Sequence, residues 1–126
     1  MAKVKIATKF NSYFGPMGSG AMRLVILETP YAGNVETNIQ YARLCLLDCL
    51  KRGEAPLASH LLYTQVLDDN DPKQRQLGIE AGLAWMRVAH ASVIYTDLGI
   101  SEGMRKGIEA ARFAGIPTEL RSLEGK

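Results

Sequence analysis

Short apolar runs alternate with longer amphipathic stretches along most of the chain. The most continuous run, Leu24–Leu27, is typical of a strand in a parallel sheet that is covered on both faces. Two further strands are predicted at residues 92–96 and 118–121, and a short one with a weaker signal at residues 56–59. Apolar residues at helical spacing predict three helices between the strands, at about 36–52, 72–89 and 102–114.

This alternation predicts a single α/β domain with a four- to five-stranded, mostly parallel sheet and right-handed crossovers. Leu24–Leu27 is the most apolar strand, so it should be central. We expect the strands that contain Leu57 and Val93 to flank it, with the strand of Leu120 outside the Val93 strand.

The second predicted helix begins at Asp71-Pro72, where Asp71 can cap the first turn. We expect this helix to reach about Ala89. Four of its apolar residues should be buried, namely Leu77, Ala81, Ala84 and Val88. Around Leu83, Trp85 and Met86 the apolar residues occupy more than one face, which a single small sheet cannot cover. This excess predicts a homo-oligomer, most simply a twofold dimer.

Residues 1–21 differ from the rest of the chain. Residues 15–20 form a glycine-rich, linker-like run, and Met22 directly precedes the strongest strand. We therefore expect the compact domain to comprise residues 22–126, with residues 1–21 as an N-terminal extension or a cloning remnant.

Composition excludes several classes of partner. The net charge is only +2 and the basic residues are scattered, so a nucleic-acid surface is not indicated. Apolar runs fall well short of the roughly 20 residues of a membrane span. Cys45 and Cys49 lie four apart on one helix face, which predicts two buried thiols in a reducing, cytoplasmic setting. Neither a metal nor a cofactor is predicted.

Ligands of open α/β sheets bind beyond the carboxyl ends of the strands. The first loop at that edge begins at Glu28 and supplies the candidate ligand residues Thr29, Tyr31, Gly33, Asn34 and Asn38. Its glycine and asparagine at a helix N-terminus favour a phosphate. The alternative is an ordinary strand-to-helix turn with an asparagine cap.

The second loop supplies Ser59 and His60 directly after a predicted strand. His60 is a candidate base or ligand-binding residue, and the alternative is a structural histidine held by a hydrogen bond. His90 follows a predicted helix, where a solvated cation near the helix C-terminus is the expected role.

The third loop supplies Asp97, Ser101, Gly103 and Met104, with Glu102 in the first helical turn. Asp97 can accept hydrogen bonds from a ribose diol, or it can cap the turn. Ser101 can hold a phosphate or cap the helix, and Gly103 permits close backbone approach. Glu102 and His60 are the candidate catalytic residues, although favourable interaction with the helix dipole is the alternative for Glu102.

Three motifs carry a family resemblance. They are Glu28-Thr29-Pro30-Tyr31-Ala32-Gly33-Asn34 with Asn38, Pro56 with Ser59-His60-Leu61-Leu62, and Asp97-Leu98-Gly99-Ile100-Ser101-Glu102-Gly103-Met104. Together they resemble the nucleoside 2-deoxyribosyltransferase-like superfamily, in particular its small members found in phages and prophages. The resemblance covers about residues 22–123. It implies a flavodoxin-like or Rossmann-like three-layer domain and an oligomer in which neighbours complete the site.

The resemblance also implies roles for two positions. In the true transferases a helix-borne glutamate attacks C1′ of the sugar, and an aspartate holds the sugar hydroxyls. The glutamate position falls at Gly107 here, which has no side chain, whereas Asp97 keeps the second role. The resemblance therefore implies binding without the usual nucleophile.

Three hypotheses of function follow. The first is a protein that binds a nucleotide, nucleoside or ADP-ribose-like molecule without catalysis; in a phage setting it would sequester a nucleotide immune signal as an anti-defence protein. The second is a nucleoside deoxyribosyltransferase or N-glycoside hydrolase, and the third is an assembly protein with a vestigial cleft.

Overall fold

The structure is a computed structural model that describes residues 22–124; the predicted extension at residues 1–21 lies outside the described residues. Its strands are β1 (Arg23–Glu28), β2 (Glu54–Leu57), β3 (Ala91–Tyr95) and β4 (Thr118–Arg121). They form one parallel sheet in the order β2-β1-β3-β4. The predicted α/β class is confirmed, and so is the predicted strand order with β1 inside the sheet.

Within residues 22–124, four α-helices lie between the strands: α1 (Val35–Lys51), α2 (Ser59–Leu62), α3 (Pro72–Ala84) and α4 (Glu102–Ala114). The ends of α1 and α4 lie where the sequence predicts them. Asn34 accepts a hydrogen bond from the Thr37 amide at the start of α1, and Gly53 follows its end with a φ of +86°. Gly115 ends α4 with a φ of +81°, in the left-handed region.

The core has two parts because successive side chains of β1 point to opposite faces of the sheet. Val25 and Leu27 pack with Cys45 and Cys49 of α1, which confirms the two buried thiols. On the opposite face, Ile26 packs in a smaller cluster with Met86 of the turn after α3 and Ala111 of α4. Helices therefore cover both faces, and Glu28 shares the face of Ile26.

The prediction for α3 is wrong in its end and in its buried face. The helix ends at Ala84, and a 3-10 turn follows at Trp85–Arg87. Of the four residues expected inside, none is buried: Leu77 is 57% exposed, Val88 is 56% exposed, Ala84 is exposed and Ala81 is half-buried.

The reason is that α3 contacts α2 and the segment after it through two glycines. A Cβ on Gly78 would lie 3.3 Å from the Leu67 side chain, and one on Gly82 would lie 2.8 Å from the Ser59 hydroxyl. Small residues therefore face inward and the larger apolar ones face solvent.

Strand β2 lies two residues earlier than the predicted strand at residues 56–59: it begins at Glu54, and Ser59 already belongs to α2. Glu54 is buried and forms a two-pronged ion pair with Arg121 of β4, at 2.8 and 2.6 Å. This ion pair connects β2 with β4 on the α1 side of the sheet. Among the described helices, none has the length and apolar content to cross a membrane.

Candidate functional site

The strand order reverses at the carboxyl edge of the sheet, between β1 and β3, and we call this position the crevice. From β1 the chain goes to β2 on one side, and β3 lies on the other side, so the order reverses at β1 and β3. The segments that leave these strands, residues 29–34 and 96–101, lead to α1 on one face and α4 on the other. Such a reversal is where open α/β sheets bind ligands.

Thr29, Tyr31 and His60 come together at this edge. The Thr29 hydroxyl and the His60 Nε2 share a hydrogen bond of 2.6 Å, and Thr29 is buried. The Tyr31 ring lies edge-on to the imidazole, with 6.4 Å between centroids. Burial lowers the pKa of His60 to about 4, so the ring is neutral at physiological pH. A neutral imidazole can accept or donate a hydrogen bond.

The rest of the first loop is shaped by its asparagines. Asn38 donates from Nδ2 to the carbonyl oxygens of Tyr31 and Ala32, both at 3.0 Å. Asn34 caps α1, and Gly33 has a φ of +100°. These bonds are those of the ordinary capped turn, and they hold the loop at the edge of the crevice whether or not it binds an anion.

Asp97 follows β3, as predicted, but its carboxylate is occupied by its own chain. It accepts hydrogen bonds from the Tyr41 hydroxyl at 2.5 Å, from the Ser122 hydroxyl at 2.7 Å and from the Leu123 amide at 3.0 and 3.1 Å. Burial raises the pKa of Asp97, but these hydrogen bonds outweigh burial and lower the pKa to about 2. The carboxylate therefore connects α1 with the segment after β4, which differs from the expected capping of the turn at residues 99–103, and these bonds occupy both oxygens that a ribose would need.

The start of α4 is likewise engaged in capping. The Ser101 hydroxyl accepts from the Met104 amide at 3.2 Å, and the buried Met104 sulfur accepts from the Ser101 amide at 3.3 Å. Glu102 and Gly103 are exposed beside them. Ser59 of the second loop faces Gly82 of α3. No described group of three His, Cys, Asp or Glu side chains is placed to hold a metal ion.

Glu28 begins the first predicted loop, but the sequence predicted no role for it. It is the last residue of β1, in register with Ile94 of β3, and its side chain lies against Gly107 of α4. A Cβ on Gly107 would come within 2.7 Å of the Glu28 Cδ and 2.9 Å of its Oε1. Burial raises the pKa of Glu28 to about 8. The available signal was an acidic residue ending an apolar strand, two residues after the buried Ile26.

The described chain also contains a groove. It has a volume of about 580 Å³ and runs between α1, β2 and α2. Of the predicted ligand residues, only Tyr31 lines it. We place the candidate site at the crevice rather than in this groove, because the strand order reverses at the crevice and Thr29 and His60 are hydrogen-bonded to each other there.

The family is shown by comparison with known proteins. The family described as "Domain of unknown function (DUF7768)" matches residues 23–121. The match covers most of the chain, so the protein belongs to this family. No curated protein matches the chain.

Proposed function

We propose that this family member binds a nucleoside, nucleotide or ADP-ribose-like molecule in the crevice between residues 29–34 and 96–101, without chemical change. The observation that supports the proposal most strongly is the reversal of strand order between β1 and β3. At that point the edge carries Glu28, Thr29 and His60, which are uncharged at neutral pH in this structure. A site of this kind suits a neutral, hydrogen-bonding ligand moiety.

The proposal is supported by the positions of two helix starts as well. Both α1 and α4 begin at this edge, and helix N-termini favour anions such as a phosphate. The neutral polar groups and the two helix starts together match a molecule with a base at one end and a phosphate or sugar at the other.

Calorimetric titration tests this proposal. The purified protein should bind at least one of adenosine, cytidine, AMP, CMP or ADP-ribose with a dissociation constant below 1 mM, corresponding to about 4 kcal/mol of binding free energy. Chromatography of each mixture after incubation should recover the ligand unchanged. Absence of binding to every compound at millimolar concentration would refute the proposal.

Glycosyl-bond chemistry is the second candidate function, and the contact between Glu28 and Gly107 favours it. The resemblance to the transferases places their nucleophile at position 107, and a carboxyl group from β1 lies against that position. If Glu28 were the substitute, incubation with nucleosides would release free base or exchange bases. The Glu28→Gln variant would then lose all turnover while keeping its fold.

A further inference from the structure

The carboxyl group of Glu28 is partly exposed and has no hydrogen-bond or ion-pair partner among the described residues. Among residues 22–124 it forms no hydrogen bond and no ion pair, whereas Asp97 accepts four hydrogen bonds at the same edge. Burial of an acidic group without a hydrogen-bond partner costs free energy. A bound ligand would supply the missing hydrogen bonds.

The space that the carboxyl group occupies depends on Gly107. Every larger residue would bring a Cβ into contact with the carboxyl atoms. The backbone conformation of Gly107 does not require glycine, since its φ is not positive. Glycine inside a helix costs about 1 kcal/mol relative to alanine. Position 107 thus keeps room for Glu28 at the expense of helix stability.

The surroundings keep Glu28 uncharged. Burial raises its pKa to about 8. The titratable groups on the segments around Glu28 are Tyr95 of β3, Asp97 after it, His60 on α2, and the exposed Glu102, Arg105, Lys106, Glu109 and Arg112 of α4. None of them contributes to the shift. A protonated carboxyl group has one donor and one acceptor side by side.

We propose that Glu28, seated against Gly107, is the residue that recognises the base of the ligand, by pairing with a planar edge that carries a donor next to an acceptor. Nucleobases and other cyclic amides or amidines have such edges. This inference rests on the proposed function and names the part of the ligand that the crevice selects. A cation would need a carboxylate, and the described surroundings provide nothing that stabilises the charged form.

The first experiment compares Glu28→Gln with Glu28→Ala. The glutamine amide retains a donor beside an acceptor, so Glu28→Gln should bind adenosine or cytidine within about threefold of wild type. Glu28→Ala loses both hydrogen bonds and should bind about ten- to a hundredfold more weakly. Ribose 5-phosphate, which has no base, should bind all three proteins equally. Glu109→Gln, an exposed change on α4, is the matched control and should behave as wild type.

The pH dependence provides a second readout. Wild-type affinity for adenosine or cytidine should be constant from pH 6 to 7 and fall by about tenfold per unit above pH 8, as Glu28 ionises. The affinity of Glu28→Gln should not fall in that range.

A third readout moves the carboxyl group without removing it. Gly107→Ala should displace the flexible end of Glu28 and weaken base binding, while the helix gains stability. In the background of Glu28→Ala the same change should have no further effect, because no carboxyl group remains to be displaced. Lys106→Ala, the exposed neighbour on α4, is the control.

The outcomes separate the two proposals. If no probe binds wild type, the proposed function fails and the inference fails with it. If a nucleoside binds wild type and Glu28→Ala equally well, or if Glu28→Gln abolishes binding, only the inference is overturned. Ribose 5-phosphate binding that depends on Glu28 would also overturn it, because the base would then not be the group recognised.

Discussion

The burial of Glu28 makes the stability of the protein depend on pH in a specific window. In the unfolded chain a glutamate ionises near pH 4.5, whereas burial raises the folded pKa to about 8. Below pH 4.5 the group is protonated in both states and stability is unaffected. Between these values the folded chain holds a proton that the unfolded chain has released. Stability therefore falls as pH rises through this window and levels off above about pH 8.

The size of the effect follows from the shift. One pKa unit is worth about 1.4 kcal/mol, so the shift from 4.5 to about 8 corresponds to at most roughly 5 kcal/mol. Partial exposure of Glu28 lets water reach the carboxylate, and we expect about 2 kcal/mol after this screening. Glutamine at position 28 does not titrate. Relative to wild type, Glu28→Gln should gain this amount between pH 5 and pH 8.5.

Urea denaturation at pH 5, 6, 7, 8 and 8.5 measures the gain. A change of about 2 kcal/mol moves the midpoint by about 1–2 M for a domain of this size. The low pKa of His60, about 4, makes stability fall only below pH 6.5, and this term is common to both proteins and cancels in the difference. Glu109→Gln should show no such gain. If the difference between Glu28→Gln and wild type is the same at pH 5 and pH 8.5, Glu28 is not a desolvated, unpartnered acid.

The parts of the fold that were predictable are those fixed by local chemistry. The apolar run of β1 requires cover on both faces, and this alone placed it inside the sheet. The cap at Ser101 and the left-handed Gly115 placed both ends of α4 to the residue. In each case a few adjacent residues decide the structure.

The burial of α3 was not predictable in this way. Its inward face is set by contacts of Gly78 and Gly82 with residues far earlier in the chain, and glycine carries no hydrophobic signal. Hydrophobic periodicity therefore selected Leu77 and Val88, which face solvent. In a helix that packs through small residues, the large apolar side chains face solvent instead of the core.

The loops at the carboxyl edge were predictable from the sequence, whereas the hydrogen bonds of their polar residues were not. Parallel strands bring their carboxyl ends together, so the three loops could be named in advance. Some polar groups are already hydrogen-bonded to distant parts of the chain, and these partners cannot be read from the sequence. Asp97, for example, is hydrogen-bonded to Tyr41, Ser122 and Leu123. The contact of Glu28 with Gly107 likewise joins positions that sequence spacing does not relate.

Three further predictions concern the hydrogen bonds, the ion pair and the assembly. Asp97→Ala should lower the free energy of unfolding by about 2–4 kcal/mol in thermal denaturation, because several donors lose their acceptor. The same variant should change nucleoside affinity less than twofold in calorimetry. Arg121→Met should lower the free energy of unfolding, measured by urea denaturation, by about 3–5 kcal/mol, because it leaves Glu54 buried without its partner. Adding Glu54→Gln should recover part of that loss. If the effects of the two substitutions on the free energy of unfolding simply add in the double variant, the pairing is contradicted. The last prediction is a homodimer that uses α3 and the turn after it. Within the described chain none of the side chains of α3 is buried, and Leu83 and Trp85 are 41% and 46% exposed although Trp85 donates a hydrogen bond to Tyr63. Contact with a second copy would remove this apolar surface from water, and symmetric pairing is the simplest closed arrangement. Sedimentation at micromolar concentration should give the dimer mass for wild type and the monomer mass for Leu83→Lys; a wild-type monomer would show that this surface stays in water.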